Sequence, residues 1–210
     1  MKHLVIIGAR GFGREVHDLA LDCIEAGEDM RIKGFLDDKK DALDGYVGYA
    51  DIISSVEDYN IQSNDVFICA LGSPETKKAY IEKIVAKGGK FINLISPHAI
   101  LRRNSHLGTG CIITAGSNIS VDTVIGDYVS ILSSAIGHDA KVGDYSVLSG
   151  ACRVNGFVEI EQSVYLGCNS IIYPHRKIGV GAFVGMGSVV VSNVKPGRRV
   201  FGNPAKRMEF

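Results

Sequence analysis

Residues 119–148 read ISVDTVIGDYVSILSSAIGHDAKVGDYSVL, and a Leu, Ile or Val recurs in this stretch at nearly every sixth position. Counting in both directions extends the pattern over residues 107–190, and its members are Leu107, Ile113, Ile119, Ile125, Ile131, Ile136, Val142, Leu148, Val154, Ile160, Leu166, Ile172, Ile178, Val184 and Val190. Neither an α-helix nor a β-strand has a period of six. A fixed short repeat of this kind predicts a solenoid, here a hexapeptide β-helix.

The geometry of such a solenoid follows from the repeat. Each hexapeptide forms one flat face, and three faces close a coil, so residues 107–190 predict between four and five coils. The residue after the aliphatic position is often Gly, which suits a corner that needs unusual backbone angles or a close approach of backbone segments. Because so short a solenoid leaves its flanks exposed, we expect it to bury them against identical copies, most simply in a homotrimer.

One step of the repeat is irregular. Ile131 and Ile136 are five residues apart, and Gly137-His138-Asp139 follows directly. A histidine exposed on a coil edge, with a neighbouring carboxylate to orient it, is suited to deprotonate an amine or a hydroxyl nucleophile. The alternative, an ordinary surface His-Asp pair, stays open on these residues alone.

The N-terminal part, residues 1–95, predicts a separate α/β unit. An apolar strand over residues 3–7 leads into Gly8-Ala9-Arg10-Gly11-Phe12-Gly13 and then into a helix whose Val16, Leu19 and Ala20 share a face. Strand, glycine turn and helix are the first unit of a Rossmann-like half-domain, whose backbone N–H groups suit a phosphate. Arg10 replaces the second glycine of the dinucleotide motif, which disfavours a dinucleotide. A tight turn without any ligand is the alternative.

Two further strands end near this turn in the predicted sheet. Residues 32–36 end in Asp37-Asp38, and residues 65–71 end at Gly72, before a helix over residues 75–87. Carboxyl ends of parallel strands meet at one edge, so Gly11, Asp37 and Gly72 are expected to converge on a binding crevice. A solvated acidic turn is the alternative for the two aspartates. A last strand over residues 90–95 leads out, and the β-helix with its C-terminal tail takes up residues 96–210.

Composition excludes several classes of protein. The net charge is zero, which argues against a nucleic-acid binder that works by bulk charge. No apolar run of 18 residues occurs, so no membrane insertion is expected. Five scattered Cys without a C-x-x-C pair predict reduced thiols and a cytoplasmic protein. The six His lack the spacing of a zinc site, so we expect no metal.

With these residues in view, the chain resembles the bacterial acyltransferases that pair a small Rossmann-like nucleotide-sugar domain with a left-handed parallel β-helix. The hexapeptide repeat and the closing Gly202-Asn203-Pro204-Ala205-Lys206 are typical of the hexapeptide-repeat acyltransferase superfamily. The glycine turn from Gly8 to Gly13, Phe35-Leu36-Asp37-Asp38 and Gly72-Ser73-Pro74 indicate the branch. This branch includes UDP-4-amino-sugar N-acetyltransferases and sialic acid O-acetyltransferases.

The resemblance implies a direct transfer from acetyl-CoA in a ternary complex, with active sites between the subunits of a trimer. His138 would match the general base and Asp139 its acidic neighbour. The sugar nucleotide would lie on six residues, which are Arg10, Gly11, Phe12, Asp37, Asp38 and Gly72. The positions that match cofactor contacts are Val147, Gly156, Cys168 and Met186.

Three functions follow from these expectations. The favoured one is N-acetylation of a nucleotide-linked amino sugar, such as a UDP-4-amino sugar, in the synthesis of bacterial surface glycans. O-acetylation of a sialic acid or another sugar hydroxyl is the alternative within the enzymes, since the same base serves either nucleophile. A non-catalytic scaffold that binds sugar nucleotides is the third.

Overall fold

The computed structural model describes residues 1–208, which divide into two compact units, the first from Met1 to Pro97 and the second from His98 onward. The elements of the first unit are β1 Lys2–Ile7, α1 Gly11–Glu25, β2 Met30–Leu36, β3 Ile52–Ser54, β4 Asp65–Cys69, α2 Pro74–Ala86, β5 Lys90–Phe91 and β6 Leu94–Ile95.

The first unit is built on one parallel sheet with the strand order β3-β2-β1-β4-β5. Its central strand β1 ends in an apolar run, Leu4 to Ile7, which is fully buried, as expected for a parallel strand between two others. Helix α1 buries the face that contains Val16, Leu19 and Ala20. The predicted Rossmann-like unit is confirmed.

The element bounds differ from the prediction in several places; β2, for example, begins at Met30 rather than at residue 32. Strand β4 ends at Cys69 rather than residue 71, and the strand expected over residues 90–95 is two short strands, β5 and β6. The short edge strand β3 was not predicted, because three residues are too few for a periodic signal. Helix α2 begins at Pro74, one residue before the predicted start, since the Ser73 hydroxyl accepts a hydrogen bond from the Thr76 N–H and Pro74 occupies the first turn.

The second unit is a parallel β-helix. Its strands are β7 Ile100–Leu101, β8 His106–Leu107, β9 Ile112–Ile113, β10 Asn118–Ile119, β11 Val124–Ile125, β12 Ser130–Ile131, β13 Ala135–Ile136, β14 Lys141–Val142, β15 Val147–Leu148, β16 Arg153–Val154, β17 Glu159–Ile160, β18 Tyr165–Leu166, β19 Ile171–Ile172, β20 Lys177–Ile178, β21 Phe183–Val184, β22 Val189–Val190, β23 Arg199–Phe201 and β24 Lys206–Arg207. Each strand from β7 to β19 pairs in parallel with the strand three further along the chain.

The aliphatic column forms the interior of this solenoid. Every member from Ile113 to Val190 is buried, and Leu107, the first member, is half-buried. The hexapeptide β-helix is therefore confirmed. It is longer than the predicted four to five coils, because β7 adds a face before Leu107 and the sixteen strands from β7 to β22 run three to a coil.

The glycines that follow the aliphatic positions serve close approach. Gly137 and Gly167 lie against backbone of the next coil: a Cβ on either would stand 2.6 Å from the nitrogen of Gly156 or Met186. Positive φ angles instead occur three residues after the aliphatic position, at corners that hold glycines such as Gly181 (φ 64°) but also non-glycine residues such as Asp139 (φ 57°) and Phe157 (φ 58°). Of the two expected reasons for these glycines, close approach is the one that applies.

The shortened step is absorbed in one corner. Residues 132–134 form this corner, where Ser133 has a φ of 45° two residues after Ile131. The Ser133 N–H donates to the Thr114 hydroxyl and its own hydroxyl donates to the Ala115 carbonyl, at 2.9 and 2.8 Å. Pairing of Ile136 with its neighbours in the column continues in register beyond this corner. The deletion therefore leaves the following corner, which bears His138, in the regular frame.

Candidate active site

The carboxyl ends of β1, β2 and β4 surround a cavity of about 300 Å³ in the first unit. It is lined by Ile7, Gly8, Arg10, Phe12, Leu36, Asp37, Asp38, Ala70, Leu71, Gly72, Thr76 and Tyr80. Five of the six positions predicted for the sugar nucleotide are in this lining. The sixth, Gly11, is the first residue of α1 and lies outside the lining. The crevice expected at the sheet edge is thus present within the first unit.

The glycine turn explains how α1 reaches this cavity. Gly8 has a φ of 95°, and Gly13 packs so closely on the Gly8 carbonyl that no side chain fits there. Arg10 is the N-cap residue, and among the residues that the structure describes no side chain caps the first turn. The backbone N–H groups of that turn can therefore donate hydrogen bonds to water or to an anion, and the cationic Arg10 side chain lies beside them.

Asp37 and Asp38 have different partners. One Asp37 oxygen accepts the Ala9 N–H and the other accepts the Lys39 N–H, both at 2.9 Å. Asp37 thereby ties the end of β2 to the glycine turn of β1. Asp38 accepts a hydrogen bond from the Tyr80 hydroxyl on α2. Sequence reasoning grouped the two aspartates as ligand contacts, and the structure gives the first a clear structural task.

Tyr80 is a cavity residue that the sequence did not reveal. Its hydrogen bond to Asp38 raises its pKa to about 12, with burial and the Asp38 and Asp37 charges adding to the effect. The hydroxyl therefore stays protonated and remains a donor. No local motif surrounds Tyr80, because it is 42 residues from Asp38 and its place depends on how α2 packs.

In the second unit, His138 and Asp139 occupy the corner after β13. The distance between His138 Nδ1 and Asp139 Oδ2 is 2.8 Å, and the His138 side chain is 55% exposed. A carboxylate at Nδ1 favours the tautomer that carries its proton there, which leaves the Nε2 lone pair free to accept a proton. Asp139 has a φ of 57°, so the backbone turns directly after His138.

The next coil supports the His138 ring. A Cβ on Gly156 would stand 2.7 Å from His138 Cε1 and 2.8 Å from Nε2, so only glycine leaves the ring in place. The imidazole and the Phe157 ring pack perpendicular to each other, with centroids 5.2 Å apart, and Phe157 stacks on His175 at 4.7 Å. Gly156 was predicted as a cofactor contact, whereas Phe157 and His175 were not singled out as neighbours of the base.

The other predicted cofactor positions lie elsewhere on the solenoid. Cys168 and Met186 are exposed at successive corners, which follow β18 and β21. These two strands belong to one sheet of the solenoid, whereas β13, which precedes the His138 corner, belongs to another. Val147 is buried in β15 on the sheet that leads to those corners. A single chain therefore brings Gly156 to His138 and leaves Val147, Cys168 and Met186 along another edge.

The basic C-terminal loop forms a second concave surface. A cavity of about 310 Å³ is lined by Val190, Ser192, Asn193, Val194, Lys195, Arg198, Val200, Ala205 and Arg207. Its cations come from the loop and from β24, and its apolar side chains come from the end of the solenoid. Such a surface suits an anionic group attached to an apolar one.

Within residues 1–208, no three His, Cys, Asp or Glu side chains converge as a metal site would require. In the same range, neither helix combines the length and the apolar character that a membrane crossing needs.

Comparison with known proteins gives related sequences over both units. Residues 3–84 match the PglD N-terminal domain family. A relative from Escherichia coli O157:H7, GDP-perosamine N-acetyltransferase, is 30% identical over 222 residues, which cover 97% of this chain and 95% of the relative.

Two solved structures share the whole architecture. The acetyltransferase domain of PglB from Neisseria gonorrhoeae FA1090, in complex with acetyl coenzyme A, is 25% identical with a TM-score of 0.88, and the match covers 99% of each chain. PerB from Caulobacter crescentus, in complex with CoA and GDP-perosamine, is 25% identical with a TM-score of 0.87, and the match covers 100% of this chain and 98% of PerB. The chain therefore belongs to the family of sugar N-acetyltransferases within the hexapeptide-repeat superfamily that includes GDP-perosamine N-acetyltransferase.

Proposed function

We propose that this chain transfers the acetyl group of acetyl-CoA to the amino group of a nucleotide-linked amino sugar, with His138 as the general base. The observation that carries this proposal is the 2.8 Å contact between His138 Nδ1 and Asp139 Oδ2 on a half-exposed imidazole. Acetyl-CoA, when bound, supplies an acetyl group activated as a thioester. The PglB and PerB structures, which contain acetyl-CoA or CoA, support this donor.

His138 moves the proton of the reaction. Asp139 holds the Nδ1 proton, so Nε2 accepts a proton from the amine as the new C–N bond forms and the C–S bond breaks. His138 then returns the proton to the departing thiolate, which leaves the imidazole neutral for the next cycle. Gly156 and Phe157 act by holding the ring in one place while Nε2 gains and loses its proton.

The first unit holds the nucleotide in this proposal. Arg10 and the uncapped N–H groups of α1 suit the diphosphate, and Asp38 and Gly72 line the same cavity. The family resemblance gave a UDP-linked 4-amino sugar as one example of the acceptor, whereas the relative from Escherichia coli O157:H7 is a GDP-perosamine N-acetyltransferase. We propose an amino sugar linked to one of these two nucleotides as the acceptor.

Substitution of the base tests the mechanism. His138→Asn keeps a polar side chain of similar size but removes the proton acceptor, so kcat should fall by about 10² to 10⁴. Asp139→Asn should cost less, about tenfold, because the imidazole remains. The assay follows thiol release from acetyl-CoA with UDP- and GDP-linked amino sugars, and with sugars that offer only hydroxyl groups. His106→Asn, on an exposed solenoid strand, is the matched control.

Near-normal turnover of His138→Asn would contradict the assignment of the base. Faster acetylation of the hydroxyl sugars than of any amino sugar would contradict the acceptor. These two outcomes are separate, so the base and the acceptor are tested independently.

We also propose that the active form is a homotrimer. His138 with Gly156 and Cys168 with Met186 lie on different edges of one prism, so a groove between two copies would join one edge of each. Sedimentation equilibrium should give three times the mass of one chain. A stable, active monomer would overturn this proposal.

A further inference from the structure

The cavity of the first unit contains a tyrosine–aspartate pair that the proposed mechanism does not use. Tyr80 comes from α2 and Asp38 from the end of β2, and both line the cavity. The Tyr80 hydroxyl donates to Asp38 Oδ2. The pair therefore connects α2 to the segment that follows β2, at the carboxyl edge of the sheet.

The two neighbouring aspartates are not equivalent as acceptors. Both oxygens of Asp37 already accept backbone N–H groups, from Ala9 and from Lys39. Asp38 accepts on Oδ2 alone, and among residues 1–208 no group donates to its Oδ1. A carboxylate offers acceptor sites only, so Oδ1 of Asp38 is available for a donor on a ligand.

The bond also fixes the rotation of the carboxylate. Tyr80 remains a donor at any working pH, because its pKa of about 12 keeps the phenol protonated. With Oδ2 held by the phenol, Oδ1 has a defined direction. Arg10, the cationic side chain in the described cavity lining, supplies the opposite charge for a phosphate.

We propose that Tyr80 is a positioning residue that, through Asp38, makes this cavity selective for nucleobases with a ring N–H beside a carbonyl. This inference rests on the proposed function, because it assumes that the cavity binds the nucleotide. Guanine presents N1–H, and uracil and thymine present N3–H, which the Asp38 carboxylate can accept. Adenine N1 and cytosine N3 would turn a lone pair toward the carboxylate, which disfavours them.

The experiment measures binding of four nucleoside diphosphates to the full chain by calorimetry, without any acetyl donor. The wild-type protein should bind GDP and UDP at least tenfold more tightly than ADP and CDP. Tyr80→Phe removes the hydroxyl alone, and it should reduce this ratio to about twofold or less. Binding of ADP and CDP should change little, since the diphosphate contacts remain.

Tyr59→Phe is the matched control. The Tyr59 hydroxyl also donates to a carboxylate, Asp65 Oδ2 at 2.7 Å, but Asp65 begins β4 at the opposite edge of the sheet. This variant should keep the wild-type ratio between the four ligands. Thermal unfolding of both variants shows whether each is folded at the temperature of the binding measurement.

The outcomes separate the two proposals. If the wild-type protein binds none of the four diphosphates, the nucleotide assignment fails and this inference with it. If it binds all four equally, the nucleotide assignment stands and this inference fails. Asp38 would then contact a group that all four ligands share, such as the ribose. A folded Tyr80→Phe variant that keeps the wild-type ratio would also overturn it, and a uniform loss for all four ligands would reduce Tyr80 to a structural role.

Discussion

A single methyl group at Gly156 should displace the proposed base. In Gly156→Ala the new Cβ would lie 2.7 Å from His138 Cε1, 2.8 Å from Nε2 and 3.2 Å from Nδ1. Ordinary carbon contacts lie at about 3.5 to 4 Å. The ring must therefore move away by roughly 1 Å. The φ of Gly156 is not positive, so the backbone itself accepts alanine without strain.

The expected fall in kcat follows from that displacement of the imidazole. A misplacement of about 1 Å in a catalytic group can cost about 10²-fold in rate, so kcat of Gly156→Ala should fall by about that factor. The fall should exceed any change in KM for the nucleotide sugar, because the cavity of the first unit is unaltered. Steady-state kinetics with acetyl-CoA and an amino-sugar nucleotide, followed by thiol release, gives both parameters.

A second glycine provides the comparison. Gly150 holds the same place in its hexapeptide, two residues after the aliphatic position, but a Cβ there would meet only Cys168 Sγ, at 4.0 Å. Gly150→Ala should therefore retain most of the wild-type kcat. If Gly156→Ala were equally active, the contact between Gly156 and the imidazole could not be what holds the base, and the reasoning would be refuted.

Two further predictions concern other groups. Burial would raise the pKa of Asp65, but hydrogen bonds from Lys33, Tyr59 and the Gln62 N–H outweigh it and lower the pKa. The stabilisation that the Asp65 carboxylate gives the fold is therefore complete above the unfolded carboxyl pKa of about 3.9. It is lost as the pH falls through the lower pKa that Asp65 has in the folded protein. Lys33→Met should cost roughly 3 kcal/mol at pH 7 and flatten the decline in the free energy of unfolding below about pH 4 in urea unfolding, and a variant as stable as wild type would contradict this. Cys168 is exposed whereas the other four cysteines are buried, with the pKa of Cys69 raised to about 12 by burial, so an alkylating reagent should modify Cys168 first. CoA should slow that modification if Cys168 lies in the cofactor groove, and equal rates with and without CoA would remove it from the site.

The sequence is most informative where a function depends on local spacing. The period of six requires no knowledge of which coil contacts which, so the aliphatic column and the β-helix could be read directly. Adjacent residues such as His138 and Asp139 could likewise be paired, because one peptide bond keeps them in reach. The positions of Gly11, Asp37 and Gly72 could be assigned to one edge, since parallel strands place their carboxyl ends together, although Gly11 lies outside the cavity lining.

The tertiary structure decides the contacts between residues that are distant in sequence. Gly156 belongs under the His138 ring because one coil stacks on the next, and the corner at residues 132–134 absorbs the missing residue before that stack. Tyr80 contacts Asp38 because α2 packs beside the ends of β2 and β4. Asp37 accepts a hydrogen bond from the Ala9 backbone N–H because β2 lies beside β1. Hydrophobic periodicity specifies which face of each element is buried. The partners of a polar side chain at an element's end depend instead on the order of strands and the stacking of coils, which no local pattern records.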